Sequence, residues 1–213
     1  HLKIELKVYI KKFTVQRGEM LNVLIVILIS YIIYMALALT GITRGYHRYF
    51  SHKEFKTTPI IEIIMLYCGL LCGVRSPLTW AGVHRMHHAY SDTPKDPHSP
   101  KHMGKWRVFF SLYRIKSIPR KFIKDLLKNP RVMFFHNHGK TIWWAHFVIT
   151  FFIFGSIAIW VNILIIAFSY IGYGVLNTFG HDLEGPINRL WINAIAPFEG
   201  NHRDHHERKY IKS

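Results

Sequence analysis

Acidic residues are scarce in this chain: 12 Asp and Glu stand against 28 Lys and Arg in 213 residues, a formal charge of +16. On a soluble protein that excess would suggest nucleic acid. Here the apolar residues, half of the total, fall in long blocks with the basic ones between them. That is the layout of a membrane protein facing anionic headgroups, and nucleic acid is not expected as a partner. Cysteine is nearly absent. Cys68 and Cys72 lie one helical turn apart in an apolar stretch, where a disulfide would constrain little and a thiolate metal site would need more ligands. They read as small core residues, and no cysteine set for an iron–sulfur cluster exists. Internal repeats and low-complexity linkers are missing too, and no signal-peptide pattern precedes the first apolar block. A start at His1 rather than Met suits a processed form or a piece of a longer chain.

What the sequence does have is charge-free length. Met20 to Thr40 is 21 residues without a charge, and at about 1.5 Å per residue it covers the roughly 30 Å hydrocarbon core. Ile142 to Gly180 is likewise uncharged, long enough for two helices with a turn expected near Trp160 to Asn162. Pro59 to Val74 is short and contains Glu62, so a membrane-dipping helix is expected there. Residues 1–19 read as a basic interfacial strip. Residues 101–140 read as interfacial amphipathic helices broken at Pro119. The expected fold is an all-α membrane protein forming one domain over 1–213, with about three full transmembrane helices, one short dipping helix and a helical cap. Segments 41–58, 75–141 and 181–213 then share one face. That face carries 23 of the 28 Lys and Arg, which assigns it to the cytoplasm.

Each of those segments carries histidines. "GYHRYFSH" holds His47 and His52, "VHRMHH" holds His84, His87 and His88, and "NHRDHH" holds His202, His205 and His206, while "NTFGH" pairs Asn177 with His181. Positions i, i+3 and i+4 share one helix face, so each HxxHH box can present a patch of imidazoles. His47 and His52 are five apart, about 140° on an ideal helix, and converge only where the helix distorts. Nine imidazoles exceed one ion, and two metals with four or five nitrogens each is the natural division. Imidazole suits Zn, Cu, Fe or Ni, so residue type alone does not choose the metal. His146, alone on an apolar face, reads as structural.

The stretches "GITRGYHRYFSHKEFKT", "WAGVHRMHHAYSDTPKDPHSP" and "EGNHRDHHE" resemble the three histidine boxes of membrane fatty acid desaturases, nearest to the bacterial and cyanobacterial delta-9 type and more remotely to animal stearoyl-CoA desaturases. The resemblance implies a non-haem centre of two iron (Fe2+) ions held by His47, His52, His84, His87, His88, His181, His202, His205 and His206, with Asn177 reaching one metal through water. His98, His102, His136 and His138 match no box. The implied reaction takes O2 and two electrons and leaves a cis double bond in a long fatty acyl chain. An unactivated methylene has no acidic proton, so acid–base chemistry cannot begin it and the metals must. Second partners implied are membrane lipid and a separate electron donor, ferredoxin or cytochrome b5. The acyl chain is carried on CoA or on a lipid. Animal acyl-CoA enzymes have an Arg-Asp pair where this chain has Gly82 and Val83, so their CoA contacts do not carry over. In the third box Asn201 replaces a bulky aromatic, and the helix usual before residue 20 and the usual C-terminal tail are not in this stretch. Tyr31 and Met35, one turn apart on the helix feeding His47, are expected to help close the acyl tunnel. Asp92, Asp96, Asp182, Glu199, Asp204 and Glu207 are candidates to orient ligand rings. A hydroxylase or ketolase on the same scaffold is the nearest alternative, and a histidine-rich metal transporter the more distant one.

Overall fold

The computed structural model describes residues 2–115 and 117–207, with side chains from Gly18 onward. Regular structure among them is helical, apart from one isolated antiparallel bridge between His181 and Pro186. Helix α1, Leu2–Leu37, passes without a break into a π-helix over Ala38–Ser51. The basic strip expected at 1–19 is therefore the first part of α1; the side chains of Lys3, Lys7, Lys11, Lys12 and Arg17 lie outside the described residues. Along α1 the apolar side chains face outward, with Leu24, Leu28 and Ile32 each more than half exposed. A bare apolar sleeve of that size is stable only against lipid.

Two stretches, Gly18–Ser51 and Ser156–Phe179, are long and apolar enough to cross a membrane. The second is α7. It runs beside α6, Pro130–Phe154, and the turn between them is Gly155 alone, at φ +63° with its N–H on Phe151 O. The turn thus falls earlier than Trp160, because a glycine in the left-handed region ends a helix where a tryptophan cannot. Helix α6 also begins well before Ile142. Pro130 occupies its first turn and the Asn129 side chain accepts from the N–H groups of Arg131 and Val132, a strong start signal. It has the length of a span, but His136, His138 and Lys140 stand in its first half. Two of the three expected full spans therefore stand on both length and composition.

The short helix α2, Pro59–Leu71, is about 20 Å long and cannot span the bilayer alone. Its Glu62 is buried and fully engaged, taking an ion pair from Arg131 at 2.8 Å and hydrogen bonds from Asn129 and Tyr49. Those contacts pin α2 to the start of α6. Against the π-helix, α2 packs through glycines. A Cβ on Gly41 would stand 2.0 Å from the backbone N of Gly69, and one on Gly69 would stand 2.6 Å from the Tyr46 ring. Small residues let these two backbones touch, as in helix pairs within membranes. Tyr46, Leu66, Trp80 and Val132 close the core beneath.

The cap is less helical than expected. After α3, Pro77–Tyr90, come only α4, Pro100–Met103, and α5, Lys105–Phe109. Among the described residues from Phe110 to Asn129 the regular structure is two single 3-10 turns, not amphipathic helices. Long-range bonds decide this. Arg85 on α3 donates to Phe122 O and to both carboxylate oxygens of Asp125, and also to Phe50 O and Ser51 O at the end of the π-helix. One guanidinium, rigid in its fork of donors, thereby fastens the loop and two histidine-bearing elements together. The last element, α8, is His202–Glu207.

Candidate metal centre

The π-helix explains the first histidine pair. In an α-helix residues five apart diverge, but i→i+5 winding stacks them on one side. His52 N–H bonds His47 O at 3.1 Å, and the two rings lie 5.0 Å apart. Thr43, whose hydroxyl donates to Pro197 O, ties the same helix to the segment leading into α8. Helices α3 and α8 then arrive with one HxxHH box each.

The nine box histidines converge into two groups. Ligand nitrogens of His47, His52, His84, His88 and His205 lie within 4.8 Å of one another, and so do those of His87, His181, His202 and His206. The boxes do not act as single patches. Helix α3 gives His84 and His88, an i, i+4 pair, to the first group and His87 to the second. Helix α8 does the reverse, with His205 in the first and His202 and His206 in the second.

The chemistry of these groups fits cations. Nε2 of His47 is 2.7 Å from Nε2 of His205, that of His205 is 3.0 Å from His88, and that of His181 is 3.0 Å from His202. For three rings the opposite nitrogen is taken by a carboxylate: His47 Nδ1 by Glu199 at 2.8 Å, His87 Nδ1 by Asp96 at 2.9 Å and His181 Nδ1 by Asp92 at 2.9 Å. A ring donating from Nδ1 keeps its lone pair on Nε2. His87 Nε2 is buried with no hydrogen-bond partner. Lone pairs facing one another at such distances repel unless a cation sits among them, and an orphaned buried nitrogen is what such a cation would satisfy.

Electrostatics point the same way. Burial first, and then the neighbouring His47, push the His52 ring down from 6.5 to about 2; burial likewise drives His84, His202, His205 and His206 well below the usual histidine range. These rings are neutral at physiological pH, the form that binds metal. Asp96 is pushed up by its own burial, but the hydrogen bond and charge of His87 prevail and leave it at about 2, an anion. Of the six candidate carboxylates, Asp92, Asp96 and Glu199 hold rings of the two groups. Asp182 instead caps the 182–185 turn, and Asp204 accepts from Asn188. Asn177 donates its amide to Tyr173 O and lines a cavity beside His87 and His202.

That cavity, of about 60 Å3, is lined by Tyr34 on α1 and Ala38 on the π-helix together with His47, His84, His87 and His202. Tyr31 and Met35 are not in its wall. Both pack in the apolar contact between α1 and α7, with Tyr31 against Phe168 and donating to Ala194 O. Tyr34 does line the cavity, donating its hydroxyl to Ile195 O where Gly172 leaves room for it. The helical period turns Tyr34, not its neighbours, inward. His98, outside the boxes, is buried against His87 with ring centroids 4.3 Å apart, and both its nitrogens lack partners. The one signal for it was its place two residues after Asp96, which accepts its N–H. His146 hydrogen-bonds Tyr67 far from either group.

Residues 22–211 match the sequence profile of the family described as "Fatty acid desaturase". The chain is similar to an sn-1 stearoyl-lipid 9-desaturase of Anabaena variabilis, 29% identical over 80% of this chain and 67% of that protein, and to one of Synechocystis, 30% identical over 85% and 61%. A probable acyl-CoA desaturase of Schizosaccharomyces pombe is 31% identical over 84% of this chain and 41% of its own length. The chain thus spans about two thirds of the first two relatives and less of the third. The profile covers all three boxes and the helices that bring them together, and the protein belongs to the fatty acid desaturase family.

Proposed function

We propose that this protein is an O2-dependent desaturase that places a cis double bond, at the delta-9 position, in a long saturated acyl chain. The observation that carries the reading is that two groups of imidazoles border an apolar cavity, which Tyr34 and Ala38 line together with His47, His84, His87 and His202. Each buried methylene contributes about 0.8 kcal/mol, so Ile42, Val74, Val83 and Leu176 grip an acyl chain by burial alone. That gain barely distinguishes one register from the next, and position must come from the ends.

The five-nitrogen group would hold one iron ion and the four-nitrogen group the other, with Asn177 adding a contact through water to the second. Two iron ions held there would activate O2, the oxidant, for breaking unactivated C–H bonds. The chain's own residues do the rest. Glu199, Asp96 and Asp92 fix the ring orientations and their tautomers. The cavity walls exclude water and hold one stretch of methylenes beside His84 and His87. A cytoplasmic position for this face follows from its excess of Lys and Arg, and the same charge suits docking of an acidic ferredoxin or cytochrome b5 as electron donor.

The direct test is expression in a host that makes only saturated acyl chains, followed by mapping of new double bonds and an iron assay. The expected result is a cis alkene at carbon 9 and two irons per chain; an alcohol or ketone product, or no iron, defeats the reading. The end wall gives a second test. Tyr34→Ala removes the ring that closes the channel and is expected to shift the accepted chains towards greater length, with iron content kept. An unchanged chain-length profile would show that the channel ends elsewhere.

A further inference from the structure

His98 belongs to no histidine box, yet it is built into the centre. It is 3% exposed, its ring stacks on His87 with 4.3 Å between centroids and 25° between planes, and neither of its nitrogens has a partner among the described residues. Burying both nitrogens unpaired carries a cost that an apolar ring of similar shape would avoid. Packing alone therefore does not account for an imidazole at this position, and something outside the polypeptide must meet those nitrogens.

A metal ion is the first candidate, since His87, Asp96 and His98 bring one ligand atom each within 4.8 Å of one another. The rings are aligned against it. Imidazole lone pairs lie in the ring plane, so those of two nearly parallel stacked rings run side by side and do not converge. Asp96 is also filled, by His87 Nδ1 and by the N–H groups of Asp92 and His98. Tyr113 and Tyr173 stand near His98, at 6.2 and 6.3 Å between ring centroids, but their hydroxyls bond each other at 2.8 Å. A neutral molecule that both donates and accepts is left. The cavity of about 60 Å3 that His98 lines together with His87, Tyr173 and Asn177 has room for water.

Asn177 shows what that water does. Its amide nitrogen donates to Tyr173 O at 2.8 Å, and its carbonyl oxygen accepts from no group among the described residues. A water between Asn177 and the second metal commits a lone pair to the cation and has two hydrogens to give. Asn177 Oδ1 takes one. A ring nitrogen of His98, stacked on a histidine of the same group, offers an uncommitted lone pair for the other.

We propose that His98 is a positioning residue of the second histidine group. With Asn177 it holds the water that reaches the second metal, and its ring fixes the face of His87, whose edge Asp96 already grips. The inference rests on the two-metal reading of the site and is independent of which reaction the metals carry out.

Iron release from the loaded protein in detergent to the ferrous chelator ferrozine tests this. His98→Phe keeps a ring to stack and removes both nitrogens, whereas His98→Asn and His98→Gln put an amide oxygen near the place of Nδ1 or of Nε2. One of the two irons is expected to leave His98→Phe at least tenfold faster than the parent and the other at the parent's rate, with one of the two amides bringing the fast iron back to within threefold. The metal-free His98→Phe protein should melt at or above the parent's midpoint, because no unpaired nitrogen is left to bury. If His98→Phe fails to fold, His98→Leu is read in its place. Parent-like release of both irons overturns the proposal, as does equal acceleration of both, or failure of either amide to improve on His98→Phe. A metal-free midpoint lowered in His98→Phe and His98→Leu alike would make His98 a packing residue and overturns it too. A structure of the loaded protein with ordered waters, but with no density within about 3.2 Å of either His98 nitrogen, has the same result. The expected release pattern without any double bond formed sinks the desaturase reading and leaves the water site standing, while a parent that binds no iron sinks both.

Discussion

His205→Ala is expected to lower desaturation by at least about a thousandfold, some 4 kcal/mol of lost transition-state stabilisation, and to cut iron from two per chain to about one. His205 is the ring through which the first group closes. Its Nε2 meets those of His47 and His88 at 2.7 and 3.0 Å, and its ring packs edge-on against both, 4.2 and 4.7 Å between centroids. Alanine leaves the remaining nitrogens of that group with a void where a ligand stood. Helix α8 is one turn and a half, and His202 and His206 face the other group. The second metal should therefore stay, giving a stoichiometry near one instead of zero. His138→Ala is the matched control: that ring is exposed and leans against Phe134, outside both groups. Iron by elemental analysis and product by lipid analysis read both variants. Full iron with full activity in His205→Ala would remove the five-nitrogen site from the account.

Much of this centre was legible in the sequence because HxxHH is a statement about a helix face, and α3 and α8 are helices there; His181, by contrast, lies past the end of α7, in the bridge to Pro186. Two groups of four or five nitrogens followed from counting. What could not be read was how the boxes share rings, since that depends on the angle at which α3 meets α8. The π-helix was hidden for a similar reason: the five-residue spacing of His47 and His52 demanded a distortion, but its form is set by the Gly41–Gly69 contact with α2, not by local propensity. Where the reading went wrong, distant bonds or a single glycine decided. Gly155 ends α6 ahead of the expected turn, and Arg85 holds Phe122 and Asp125, between two 3-10 turns that a helical pattern did not foretell. Tyr34 and not Met35 faces the cavity because the precise rotation of a lipid-facing helix is fixed by its neighbour, α7. Outward positions on such a helix are as apolar as inward ones, so periodicity carries no phase.

Gly41→Ala is expected to be the most damaging single methyl in the protein. The added Cβ would sit 2.0 Å from Gly69 N and 2.5 Å from Cys68 C. Both are backbone atoms in the last turn of α2, so no rotamer change relieves the contact. Overpacking in a core costs about 1–3 kcal/mol where side chains can shift, and here two helices must part instead, so a larger loss is expected. The consequence reaches the metals through a short path. Gly41 and His47 share the π-helix, and Gly45 and Tyr46, which lie between them, also press on α2 at Met65 and Gly69. Moving α2 outward removes the support that holds the π winding, and α-helical winding would swing His52 away from His47. Gly41→Ala should thus give a thermal midpoint in detergent many degrees below the parent together with loss of the first-group iron. Gly18→Ala adds the same methyl where nothing lies within 4 Å and should leave both readouts unchanged. A Gly41→Ala protein with the parent's midpoint and two irons would mean that close backbone contact does not hold the π-helix in place.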